Sequence, residues 1–264
     1  MDTILTVRTD TFEMPYIRFG TKGKAVLVIL PGLSIKSVLG SADAIIHAYE
    51  LLAPDYDIIL FDRRSNLPKT YSVADMAEDT AEAIKSLSVA PVHLFGVSQG
   101  GMMAQCIAIA HPELVRSVIL GSTTCHVADA EKTLVENWIK LAEEKKTEEL
   151  LNDFAKRIYT TDYYLKFAKI FSLLAHEVMD AELERFMILA EGMHGFDVYE
   201  KLPSINCPVL VIGAKGDQVL PVYHTKELAE KGCFELYVYE GYSHAVYDEA
   251  PDYTARMKRF LDSI

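Results

Sequence analysis

The chain is poor in cysteine, short of positive charge and without a long apolar run, and each shortage removes a class of function. Its four cysteines, Cys106, Cys125, Cys207 and Cys233, are widely spaced and form no CxxC pair. That argues against a disulfide framework or a thiolate metal site and for reduced thiols in or beside core elements. Lysine and arginine number 26 against 38 aspartates and glutamates, a formal charge of −12, and no long basic stretch interrupts that balance. Nucleic acid and anionic membrane are therefore excluded as partners. The longest strongly apolar stretch, AVLVIL at 25–30, is far too short to span a bilayer. The opening MDTILTVRTD, with an acidic second residue, does not read as a signal peptide, so a cytoplasmic protein is expected. Internal repeats and low-complexity linkers are absent too, and nothing in the pattern fixes an oligomeric state.

What is present is an alternation. Short β-branched and apolar runs bounded by turn residues recur as YIRFG, AVLVILPG, DIILFD, VHLFGV, SVILGS, PVLVIGA and FELYVYEG. Several are apolar on both faces, as buried parallel strands are. Helical periodicity lies between them, at about 40–53, 73–88, 99–111, 221–231 and 247–262, which predicts a doubly wound α/β sheet. The first two runs, near 3–8 and 16–20, have no helix between them and predict an antiparallel hairpin at one edge. The alternation breaks once: 126–204 carries only helical patterns. It reads as a helical lid inserted into a core made of 1–125 and 205–264, with EEKKTEEL as a solvated face.

In VHLFGVSQGGMMAQ, residues 92–105, Ser98 follows a buried strand and opens a helix, between Gly96 and Gly100. A G-x-S-x-G stretch in that setting forces the serine into a strained backbone conformation and exposes its hydroxyl. The bland reading is a small residue in a tight turn. A serine hydroxyl is a poor nucleophile near neutral pH, so a reactive Ser98 needs a base, a group orienting that base and donors for an oxyanion. His244, in YEGYSHAVYDEAPD, follows the last predicted strand, and Asp217, in VLVIGAKGDQVLP, follows the one before. Loops at the carboxyl edge of a parallel sheet converge on one crevice, so the three can meet. Asp217 is alternatively a turn or cap aspartate, with Asp248 and Asp197 as substitutes. His93, inside a strand, reads as a core residue, and His47, His111, His176 and His224 lack metal-ligand spacing.

These motifs, LPGLS, GVSQGG, the helical insert, GAKGDQVLP and GYSHAVYDEAP, stand in the order found in the α/β-hydrolases. The chain resembles that superfamily's lid-bearing serine esterase, lactonase and perhydrolase type over nearly its whole length. The resemblance implies a mostly parallel eight-stranded sheet flanked by helices, Ser98 as nucleophile, His244 as base and Asp217 as its orienting carboxylate. It also implies backbone N–H donors at Gln99 and Leu33 for the oxyanion. Pro31-Gly32 replaces the His-Gly of many relatives, and since proline has no N–H the donor falls to Leu33, with the Ser34 hydroxyl as helper. The loop Phe61-Asp62-Arg63-Arg64 departs from the relatives' Asp-Arg-Gly and selects no subfamily.

Aromatic residues of the insert, Tyr159, Tyr163, Tyr164, Phe167, Phe171 and Phe196, are packing residues by default. Some, Tyr163 and Phe167 first, are expected to line a pocket with Leu33, Met102 and His194, suiting a substrate with an apolar acyl or aromatic part. The expected reaction is hydrolysis of a small carboxylic ester, thioester or lactone through a Ser98 acyl-enzyme, with no metal or organic cofactor. The same fold hosts perhydrolases, acyltransferases, C–C hydrolases, lyases and hydrolase-like ligand receptors.

Overall fold

Apolar runs that alternate or stay buried on both faces pair into one eight-stranded sheet in the computed structural model, which describes residues 4–264. The strands are β1 (Leu5–Arg8), β2 (Glu13–Gly20), β3 (Ala25–Leu30), β4 (Tyr56–Phe61), β5 (Val92–Val97), β6 (Val115–Gly121), β7 (Val209–Ala214) and β8 (Glu235–Tyr239). Their order across the sheet is β1-β2-β4-β3-β5-β6-β7-β8. β2 runs antiparallel to both β1 and β4, and the remaining pairs are parallel. The expected edge hairpin is therefore present, with residue 3 of its predicted span outside the described residues.

The helices are α1 (Ala42–Ala48), α2 (Val73–Ser86), α3 (Gln99–Ala110), α4 (Asp129–Glu143), α5 (Thr147–Ile158), α6 (Thr161–Ala175), α7 (Asp180–Glu191), α8 (Val222–Gly232), α9 (Val246–Glu249) and α10 (Tyr253–Leu261). Each strand feeds both faces of the sheet, because successive side chains point to opposite sides. On β5, Leu94 joins the core that holds Met76 of α2, Met103 of α3 and Leu228 of α8. Its neighbour Phe95 joins the opposite core, with Met257 and Phe260 of α10. Ser72 starts α2 with a reciprocal cap: its hydroxyl accepts the Asp75 N–H at 3.1 Å while Asp75 accepts the Ser72 N–H at 3.0 Å.

The helix expected over 247–262 is two helices. Ala250 leaves the helical region with ψ 117, because Pro251 disfavours an α conformation in the residue before it and offers no N–H of its own. The helix expected over 40–53 is likewise cut to α1, with Tyr49 and Leu52 buried in turns beyond it.

Between β6 and β7 the chain makes only helices, α4 to α7. The two ends of this segment are tied together: Val127 N–H donates to Phe196 O at 3.0 Å and Val198 N–H to Cys125 O at 2.8 Å. Within the segment, Trp138 of α4 is 2% exposed, lies 4.8 Å ring to ring from Phe154 of α5 and donates its Nε1–H to Asp153. Truncating so buried an indole costs about 3–5 kcal/mol, so the α4–α5 contact is a main fastening of the segment. Among the described residues no helix is long and apolar enough to cross a membrane.

Candidate active site

The parallel register sets the site's position. Leu30 pairs with Gly96, Gly96 with Leu120 and Gly121 with Ile212, so the carboxyl ends of β3, β5, β6 and β7 finish in a row. The loops that follow them, with Gly32, Ser98, Ser122 and Asp217, share one edge of the sheet.

Ser98 is the single residue between β5 and α3, and its backbone sits at φ 52, ψ −122. Such a conformation costs about 1–3 kcal/mol for a residue with a side chain and persists only when surroundings over-determine it. They do so here. The Ser98 N–H donates to Gly121 O at 2.9 Å, and the Ser98 carbonyl receives Gly101 N–H at 2.9 Å, Met102 N–H at 3.2 Å and the Thr123 hydroxyl at 2.7 Å. The flanking glycines are steric necessities: a Cβ on Gly96 would stand 2.3 Å from Gly100 O, and one on Gly100 2.0 Å from Leu30 O. Gln99, the first residue of α3, has a backbone N–H with no acceptor inside the helix, so it is free to meet an anion at the helix's positive end.

Asp217 and His244 are buried together, at 6% and 3% exposure. His244 Nδ1 lies 2.8 Å from Asp217 Oδ2, while Asp217 Oδ1 accepts the N–H groups of Val219 and Leu220, each at 2.8 Å. The helical segment pins the histidine loop from above. Ala245 N–H donates to Ile158 O at 2.6 Å, and the Ser243 hydroxyl lies 3.1 Å from Arg157 O. Thr160, just beyond α5, reaches Glu249 of α9 through both its N–H and its hydroxyl, at 3.0 and 2.5 Å. Ser98 and His244 face one narrow cavity, together with Gly32, Leu33, Met102 and His194.

Other residues expected at the site are placed elsewhere. Tyr163 and Phe167 do not line the cavity: they sit on α6, ring to ring at 4.6 Å, with Tyr163 stacked on Tyr159 at 4.5 Å. Aromatic rings three and four apart on a helix satisfy one another, which is the packing role aromatics take by default. Ser34 is also outside the cavity lining, its carbonyl receiving Arg185 at 3.5 Å. The cavity's aromatic wall is instead Trp138, Phe154 and Tyr247. The chain's lone tryptophan, at helical spacing from other apolar residues, was the available signal.

A buried cation under the turn was not expected from the sequence. Arg63, 3% exposed, donates through Nη2 to Pro31 O at 2.9 Å and to the Gln99 side-chain oxygen at 3.0 Å. It thus ties the loop carrying Leu33 to the start of α3. Burial lowers the Arg63 guanidinium to about 10, against the pull of neighbouring Asp62. Asp62 accepts Arg63 N–H at 2.8 Å and the Ser37 hydroxyl at 2.5 Å, and it pairs with Arg185 of α7. The departure from Asp-Arg-Gly in this loop was visible, and its buried partners were not.

His126, also unremarked in the sequence, forms with Cys125 and Glu227 the group of described residues whose ligand atoms lie close enough to hold a metal ion. Two of the three are already paired with each other. His126 Nε2 is 2.9 Å from Glu227 Oε2, and burial pushes the Cys125 thiol up to about 12, against thiolate formation.

The sequence profile of the alpha/beta hydrolase family matches residues 27–257. RutD of Stutzerimonas stutzeri, named as a candidate carbamate hydrolase, is 24% identical over 236 residues, 84% of this chain and 88% of that protein. The 3-oxoadipate enol-lactonase 2 of Acinetobacter baylyi is 24% identical over 180 residues, 66% of this chain and 67% of that one. Among solved structures, MGS-M2, an alpha/beta hydrolase enzyme from a Medee basin deep-sea metagenome library, superposes with a TM-score of 0.88 at 21% identity, covering 98% of this chain and 97% of that one.

Proposed function

The chain belongs to the alpha/beta hydrolase family, and from that premise we propose that it is a serine hydrolase cleaving a small carboxylic ester, thioester or lactone through a Ser98 acyl-enzyme. The observation carrying this reading is the buried contact between His244 Nδ1 and Asp217 Oδ2 at 2.8 Å, with His244 facing the same cavity as the strained Ser98. Relatives named for lactone and carbamate hydrolysis are compatible with it.

His244 takes the Ser98 proton as the hydroxyl attacks the carbonyl carbon. Asp217 holds the imidazole with Nδ1 protonated and stabilises the imidazolium that forms. The N–H groups of Gln99 and Leu33 receive the oxyanion, each such donor contributing about 3–4 kcal/mol to the transition state. Collapse gives the leaving alcohol, thiol or ring oxygen the proton from His244. Water deprotonated by His244 then attacks the acyl-enzyme, and Ser98 regains its proton as the acid departs. No step calls for a metal or an organic cofactor. Residues 126–204 act as a lid over this centre, and the substrate is a small molecule whose apolar acyl or aromatic part enters the cavity, in the cytoplasm.

Intact mass after incubation with a fluorophosphonate tests the reading before any substrate is known. One adduct on wild type, absent from Ser98→Ala, is expected. An unmodified wild-type protein, folded by circular dichroism, would overturn it.

A further inference from the structure

A carboxylate stands in the wall of this largely apolar cavity. Glu131, in the first turn of α4, lines the same space as Ser98 and His244, among Leu134, Val135 and Val219. It is 6% exposed, and acidic side chains are rarely so buried unless paired. Only half of this one is paired. Glu131 Oε1 lies 3.1 Å from His224 Nε2 and accepts from the Tyr223 hydroxyl at 3.3 Å. Glu131 Oε2 is buried and has no hydrogen-bond partner among the described residues.

The surrounding side chains supply this carboxyl with few donors. His224 is wholly buried, and its Nδ1 lies 3.0 Å from Thr124 Oγ1. The Thr124 hydroxyl gives its own proton to His126 O at 2.7 Å, so its oxygen accepts the proton on His224 Nδ1. His224 Nε2, although 3.1 Å from Glu131 Oε1, makes no hydrogen bond among the described residues, so that contact is one of proximity. The first turn of α4 adds the favourable end of a helix dipole. Glu131 Oε2 is thus an acceptor without a donor on a residue of the cavity wall, and an unmatched buried acceptor is costly.

We infer that Glu131 is a specificity-determining residue, selecting substrates whose apolar part carries a hydrogen-bond donor, a hydroxyl or an ammonium group, and rejecting those ending in a carboxylate. The placement of that group relative to the scissile carbonyl rests on the Ser98 reading above. A purely structural Glu131 would bridge α4 to α8 through Oε1 alone and be indifferent to the ligand.

The test compares wild type, Glu131→Gln and Glu131→Leu on p-nitrophenyl esters of short straight-chain acids, each plain, ω-hydroxylated or ω-carboxylated. At the best chain length, wild type is expected to favour the hydroxylated over the plain ester in kcat/KM by about tenfold or more, and the carboxylated ester is expected to be the poorest. Glu131→Leu should abolish that preference, and Glu131→Gln, which keeps the shape and one acceptor, should fall between. An equal hydroxyl-to-plain ratio in wild type and Glu131→Leu overturns the inference, and so does an equal ratio in Glu131→Gln should the leucine variant not fold. Calorimetric Kd values for the matching primary amides, measured on the same proteins in a Ser98→Ala background, repeat the comparison without chemistry. Donor preference in binding with no ester turnover by wild type would keep the Glu131 assignment and remove the acyl-enzyme. Ester turnover with no donor preference would do the reverse.

Discussion

The Asp217 carboxylate divides its work between two atoms: Oδ2 faces His244 Nδ1 at 2.8 Å, while Oδ1 holds the backbone N–H groups of Val219 and Leu220 at the same distance. The loop after β7 is thereby folded around the oxygen that does not touch the histidine. An ionised carboxylate can only accept, so the proposed reaction requires the proton on His244 Nδ1 and leaves Nε2 to act on Ser98.

Asp217→Asn separates these two tasks. The amide oxygen can keep both backbone N–H groups only by turning its NH2 toward His244, which then must accept at Nδ1 and carry its proton on Nε2. The base would be in the wrong tautomer within an intact loop. Turnover of a short p-nitrophenyl ester should fall by about four orders of magnitude, with the melting temperature nearly unchanged. A fall of less than tenfold would move the orienting role to another carboxylate.

Gly100→Ala sets two effects against each other. Alanine gains about 1 kcal/mol over glycine inside a helix, and Gly100 is the second residue of α3. Its Cβ, however, would stand 2.0 Å from Leu30 O, a backbone atom that cannot swing aside. Overpacking costs of about 1–3 kcal/mol are typical where side chains can adjust, so the clash should win. Urea denaturation is expected to show net destabilisation and loss of activity. A variant more stable than wild type would show that α3 does not approach β3 so closely.

The sheet was legible because its signal is local: AVLVIL and VLVIGA can be little but buried strands, and the lone all-helical stretch stood out against the alternation. Ser98, Asp217 and His244 were legible as candidates because each follows a strand directly, so the topology brings their loops to one edge whatever the packing above them. Glu131, Trp138 and Arg63 were not. Their importance depends on which face of α4 turns toward Ser98 and on Arg63 reaching Pro31 across the sheet edge, contacts set by tertiary packing. Tyr163 and Phe167 show the converse, since the aromatic pattern that suggested a pocket is satisfied within α6 itself.

His93 makes stability depend on pH. It is 2% exposed, lies 2.7 Å from the Ser117 hydroxyl and packs edge-on to Tyr56. Burial, helped by Arg116, lowers its pKa from the usual 6.5 to about 4. A depressed histidine favours the folded state while neutral. Its contribution is therefore complete above pH 6.5 and lost as the pH falls through about 4, amounting to about 3 kcal/mol over that interval. Chemical denaturation at pH 7 and pH 4 should show a smaller loss for His93→Leu than for wild type. Equal losses would mean that His93 is protonated without penalty in the fold.

Cys233 ends α8 in a left-handed conformation, φ 54 and ψ 41, where its N–H donates to Glu230 O at 3.2 Å and the next N–H, of Phe234, donates to Ala229 O at 2.9 Å. This is the helix stop that glycine normally makes. A side chain in that region costs about 1–2 kcal/mol, whereas glycine adds chain entropy to the unfolded state that takes back part of the gain. The net of these opposed terms should favour Cys233→Gly by about 0.5–1 kcal/mol, a rise of a few degrees in Tm for a domain of this size. Valine, branched at Cβ and least tolerant of positive φ, should shift Tm the other way. The same substitution has a chemical readout, because Cys233 is exposed while Cys125 is buried and Cys106 and Cys207 are half-buried. Ellman's reagent on the native protein should lose its fastest-reacting thiol in Cys233→Gly. If Tm falls in the glycine variant while that thiol disappears as expected, then α8 does not end in a left-handed residue and the chain must leave it by another turn.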